Sequence, residues 1–149
     1  MNSRTLAAGS LSILICFAAS GSAFGQPRPS GGPLPSPEGA GVYFLELKDG
    51  ASLTTKTIIR FGLRGMGVAP AGSDRANSGH HHLLVDVPAP DLGQPIPKDE
   101  QHLHFGKGQT ETTLTLAPGK HTLQLVLGDA LHIPHDPAIV SKKITITVE

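Results

Sequence analysis

The chain has 149 residues with 12 basic and 12 acidic side chains, 8 histidines, a single cysteine and no tryptophan. A formal net charge of +0 with histidine neutral offers no electrostatic footprint for nucleic acid or for an anionic membrane surface. One cysteine, Cys16, excludes an intramolecular disulfide framework and a thiolate-paired metal site.

In chain order, residues 1–25 read as a secretory signal. Arg4 supplies the charged start, Leu11 to Ala19 the apolar stretch, and Ala23-Phe24-Gly25 a small-residue cleavage site, which predicts a periplasmic or secreted protein beginning near Gln26. The apolar stretch is about half the roughly 20 residues that cross a bilayer, so no membrane span is expected in the mature chain. Cys16 falls inside this signal, without the preceding small residue that lipid modification needs. Residues 26–40, QPRPSGGPLPSPEGA, have almost nothing to bury and are expected to form a disordered Pro/Gly-rich linker.

The folded unit is then expected over 41–149. Its β-forming runs are 42–47, 52–61, 82–87, 102–105, 110–116, 120–127 and 142–148, separated by Gly, Pro and Asp clusters, with no helical period of apolar residues. These runs predict an all-β domain, an immunoglobulin-like seven-stranded β-sandwich without the cysteine pair and buried Trp of antibody domains. Alternation predicts inward Tyr43, Leu45 and Leu47; Leu53, Ile59 and Phe61; Leu83, Val85 and Val87; Leu114 and Leu116; Leu123, Leu125 and Leu127; and Ile144, Ile146 and Val148. The stretch Ala117-Pro118-Gly119-Lys120 reads as a tight turn between the fifth and sixth runs.

All eight histidines fall between His80 and His135. In a seven-stranded sandwich the loops before strand three and after strands four and six meet at one pole, which gathers His80, His82, His104, His132 and His135, with Asp129 beside them. Period two puts His80 and His82 on one side of their strand and His81 on the core side with Leu83 and Val85. His102 and His104 likewise share a face, and an i, i+2 pair on a strand can present two imidazoles to one ion. The candidate metal ligands are therefore His82, His104, His132, His135 and His80, with His102 and Asp129 as further possibilities, while His81, His121 and Asp86 are assigned structural roles. Imidazole and carboxylate without thiolate favour copper or zinc over calcium or magnesium. The same side chains can instead hold loop carbonyls and amides through hydrogen bonds. No HExxH, CxxC or Asp-rich calcium loop is present, and no GxSxG motif accompanies Ser78 or Ser141.

At SGHHHLLVDV, HLHFGKGQTETTLTLAPGKHTLQLVLGD and HIPHDPAIVSKKITITV the chain closely resembles the small exported bacterial domains of family DUF4399, over roughly residues 60–149. The resemblance implies a His-rich exported β domain and carries over no activity, cofactor or catalytic residue. At His102-Leu103-His104-Phe105-Gly106 the chain is also similar to copper-zinc superoxide dismutase, without that family's cysteine pair and glycine-arginine signature. Three functions follow as expectations. They are an exported transition-metal binding module, a structural or interaction module that docks on an envelope protein or glycan, and a copper-dependent redox enzyme.

Overall fold

The computed structural model describes residues 32–149, so the expected signal and the first part of the expected linker lie outside the described residues. Among the described residues there are nine strands and no helix: β1 Gly41–Leu45, β2 Ser52–Leu53, β3 Lys56–Arg64, β4 Gly67–Val68, β5 Ser78–Val85, β6 His102–His104, β7 Glu111–Thr115, β8 Gly119–Gly128 and β9 Ile144–Val148. They form a three-stranded sheet in the order β1-β3-β7 and a six-stranded sheet in the order β2-β9-β8-β5-β4, with β6 also paired to β5.

The all-β expectation therefore agrees with the structure, whereas the strand count and pairing differ from the expected seven-stranded immunoglobulin-like sandwich. Two local causes account for the difference. Within the run 52–61, the Thr54 hydroxyl donates to the Lys56 carbonyl at 3.0 Å and the Thr57 hydroxyl to the Thr54 carbonyl at 3.0 Å. These bonds compete with ladder pairing, and the run divides into β2, parallel to β9, and β3, antiparallel to β1 and β7. In addition, Gly67 and Val68 pair in parallel with Ser78 and Gly79, which adds β4, and the two parallel pairs, β2–β9 and β4–β5, make the larger sheet mixed.

The main core lies between the sheets, where Val42, Ile59, Phe61 and Leu114 of the smaller meet Leu83, Val85, Leu123, Leu125, Leu127, Ile144, Ile146 and Val148 of the larger. Each such side chain contributes roughly 1.5–3 kcal/mol when fully buried. The predicted parity is reversed on β1. Val42 is buried and Phe44 packs on the core, while Tyr43 and Leu45 are each 41% exposed. The segment Val42-Tyr43-Phe44-Leu45 is apolar at successive positions, so its own pattern does not choose a face. The partner strand does, because Tyr43 lies opposite Gly62, and a Cβ there would collide with the Tyr43 ring.

Strands β5 and β8 are covered on both faces. On the side away from the smaller sheet, Leu84 and Val126 join Ile96 in a second apolar cluster, with Val87 and Val140 packed against it. Two long connections roof this face, 86–101 and 129–143. Within the stretch expected as a linker, the Ser36 amide donates to the Asp136 carbonyl at 3.1 Å, the Asp136 amide to the Leu34 carbonyl at 2.9 Å, and the Ser36 hydroxyl to the Pro137 carbonyl at 2.8 Å.

Candidate metal centre

The alternation of β5 decides where its imidazoles go. His81 shares the core side with Leu83 and packs against Phe61 with ring centroids 5.3 Å apart. His80, His82 and Leu84 point the other way, under the connecting loops. Register adds the next partners, since His82 stands opposite His104 on β6 and opposite Val126 on β8, while His80 stands opposite Gly128. The gathering point is thus the outer face of the larger sheet, beside Leu84 and Val126, rather than the loop pole expected from the sequence. The loops fold back over that face because its apolar residues need a cover.

His132 arrives from the turn after β8. The Asp129 carboxylate accepts the Leu131 amide at 2.7 Å and the Ile133 amide at 3.1 Å, and the Asp129 carbonyl accepts the His132 amide at 3.0 Å. These bonds hold His132 at a φ of 67°, in the left-handed region that side-chain-bearing residues seldom adopt. The Ile96 amide donates to the His132 carbonyl at 2.8 Å, which ties the two roofing loops together directly above the site.

The rings of His80, His82, His104 and His132 all pack on one another. Centroid separations are 5.0 Å for His80–His104, 5.0 Å for His80–His132 and 4.7 Å for His104–His132. His82 lies 4.8 Å from His80, 5.1 Å from His104 and 5.8 Å from His132. Imidazoles that share one ion through nitrogens at about 2.0–2.1 Å have centroids about 5 Å apart. His80, His104 and His132 can each offer one nitrogen with all three atoms within 4.8 Å of one another. Nε2 of His80 and Nε2 of His82 are 3.0 Å apart, joined by a hydrogen bond. The buried Nδ1 of His80, Nδ1 of His82, Nε2 of His104 and Nδ1 of His132 have no hydrogen-bond partner among the described residues. Buried donors and acceptors normally have one, so the nitrogens of His80, His104 and His132 make a donor set that fits a cation imidazole lone pairs can bind.

Two glycines make room. A Cβ at Gly128 would stand 2.9 Å from Nε2 of His82 and 3.4 Å from the His132 Cα, and one at Gly106 would collide with the His104 ring. Sequence reasoning missed both, although Gly106 lies two residues from the ring it accommodates, that of His104.

Burial is the main electrostatic influence. It pushes His80 down to about 4, helped by His132 and His104 and opposed by Asp129. His82 is pushed down to about 2, first by burial and then by His80, His104 and His132. His104 is lowered by burial and by the nearby His132 and Lys98. Neutral pH therefore leaves these imidazoles uncharged, the form that ligates. His81 is also held down, to about 4, by burial, with the Gln109 backbone opposing the shift without completing a hydrogen bond of good geometry.

His102 does not join His104, because its Nδ1 is held at 2.8 Å by the Asp99 carboxylate, which also accepts the His102 and Gln101 amides. The paired-imidazole expectation for β6 thus reduces to His104. His135 is buried in the loop after His132. Asp129 acts on the site as the acceptor that shapes the turn. His121 lies toward the far end of β8, with Nδ1 at 2.7 Å from the Asp86 carboxylate and Nε2 at 3.0 Å from the Ala117 carbonyl. The Asp86 hydrogen bond raises its pKa, and two acceptors face its nitrogens. Ser78 and Ser141 are spent on backbone bonds, to the Arg75 carbonyl at 2.7 Å and between the Leu125 amide and the Lys142 carbonyl, each at 2.9 Å.

A family model described as "Domain of unknown function (DUF4399)" matches residues 59–149, and the chain belongs to that family. No curated protein and no solved structure matches it.

Proposed function

We propose that this DUF4399 protein is an exported module that binds one transition-metal ion, zinc or copper, through the imidazoles gathered on the outer face of its larger sheet. The convergence of His80, His104 and His132, with donor nitrogens within 4.8 Å of one another, carries this reading. Neutral imidazole is a borderline donor that suits Zn(II) and Cu(II) far better than the oxygen-seeking Ca(II) and Mg(II). The N-terminal pattern of Arg4, an apolar stretch and Ala23-Phe24-Gly25 supports export. His104 and His132 are only partly buried, so the ion would have a route to solvent, as storage, delivery or sensing requires.

The test is elemental analysis of untagged protein from the exported fraction, followed by zinc and copper titration against a competing chelator at neutral pH. One ion per chain is expected, lost in His104→Ala and in His132→Ala. A wild-type protein that carries no ion and shows no saturable site would overturn the reading in favour of an envelope module whose histidines only support loops.

A further inference from the structure

The four rings of the cluster are not equivalent. His80, His104 and His132 form a nearly equilateral triangle with sides of 5.0, 5.0 and 4.7 Å. His82 stands off this triangle, 5.8 Å from His132, and its Nε2 is already engaged with Nε2 of His80 at 3.0 Å. That leaves Nδ1 of His80, Nε2 of His104 and Nδ1 of His132 as buried nitrogens of the triangle without a hydrogen-bond partner.

Resting on the metal-binding reading above, we propose that His82 is a positioning residue and not a ligand. Its Nε2 accepts a hydrogen bond from Nε2–H of His80, which fixes the tautomer of His80 whose Nδ1 lone pair faces the ion. The ion then has three imidazole ligands and at least one position for water or a small anion.

The proton count gives the direction of that bond. One hydrogen must lie between the two Nε2 atoms. If His82 supplied it, neutral His80 would carry its own proton on Nδ1 and would have no lone pair for an ion. With His80 as donor, Nδ1 of His80 is bare and the proton of His82 resides on its Nδ1. Ligating histidines generally donate their second N–H to an acceptor that sets tautomer and ring orientation. An imidazole acceptor adds no negative charge at that bond, so a divalent ion here keeps its attraction for an anion. Half-buried His104 and His132 border the side from which the anion would enter.

Nuclear magnetic resonance of untagged protein, labelled with heavy nitrogen in histidine and loaded with a spin-active cadmium isotope, tests the assignment on the wild-type chain. Direct cadmium couplings are expected to Nδ1 of His80 and to one nitrogen each of His104 and His132, with His82 uncoupled. A coupling to His82 overturns the assignment and leaves metal binding standing, whereas failure to retain any ion removes both. His82→Ala is expected to weaken zinc binding roughly 10–100-fold, and His82→Gln, whose amide oxygen can accept from His80, to recover most of that loss. Equal losses in the two variants, at equal metal-free melting temperature, would overturn the positioning role. Azide should shift the visible spectrum of the cobalt-loaded protein, and an unchanged spectrum would overturn the open position.

Discussion

At the scale of single residues, the site depends as much on missing atoms as on present ones. The space over Gly128 and Gly106 is taken by imidazole, so Gly128→Ala and Gly106→Ala are expected to displace His82 and His104 respectively. Each should weaken zinc binding at least tenfold in a chelator competition while leaving the β-sheet circular dichroism unchanged. The same crowding sets a pH dependence. In the unfolded chain these imidazoles titrate near the ordinary histidine value of 6.5, but in the folded protein His80 and His81 do so at about 4 and His82 at about 2. Below 6.5 the unfolded chain takes up protons that the folded one refuses, so metal-free stability is complete above that pH and falls as pH drops toward 4. The slope is at most about 1.4 kcal/mol per pH unit for each such imidazole. Urea unfolding of metal-free protein at about pH 7.5 and about pH 5.5 measures it, and a flat profile would mean that these rings are protonated in the folded state.

At the scale of elements, the turn after β8 sets the site's geometry. Asp129→Ala removes the acceptor of the Leu131 and Ile133 amides and is expected to cost roughly 1–3 kcal/mol in the metal-free protein, with weaker metal binding as His132 loses its support. His132→Gly should instead change metal-free stability by less than about 1 kcal/mol, since glycine accepts the left-handed backbone at some entropic cost, while metal binding is lost. Chemical denaturation beside metal titration separates the two effects. How much of this was legible in the sequence differs from strand to strand. Three consecutive histidines followed by Leu83 have only one polar-out parity, so the faces of His80, His81 and His82 could be read directly. On β1, successive apolar residues carried no parity, and the opposing Gly62 decided the face. His102 could have been set aside, because Asp99 three residues before it is a local partner for ring and backbone alike. The position of the site on a sheet face was hidden by the expectation of one core. The nearly continuous apolar run of Leu123, Leu125, Val126 and Leu127 is the sign of a strand buried on both sides.

At the scale of the whole molecule, an ion held by the folded state alone stabilises the entire domain. Zinc at one hundred times its dissociation constant should add about 2.7 kcal/mol. The melting temperature should rise by several degrees, return on addition of chelator, and stay fixed in His104→Ala; calorimetry with and without zinc measures all three. The roofing loop that carries His132 also holds Leu34 to Ser36 through Asp136, so part of this gain should appear as slower amide exchange in the N-terminal segment. The two-sided burial of β5 has a further consequence, which needs no ion. A slip of one residue against β8 exchanges the faces of the strand. It would carry His80 and His82 among Phe61, Leu125 and Leu127 and turn Leu83 toward His104 and His132. Two desolvated imidazoles would then stand on the core side where the native register buries one, His81, which makes a slip of one residue costly. The order of the three histidines therefore also disfavours the neighbouring alignments of β5 before any ligand arrives.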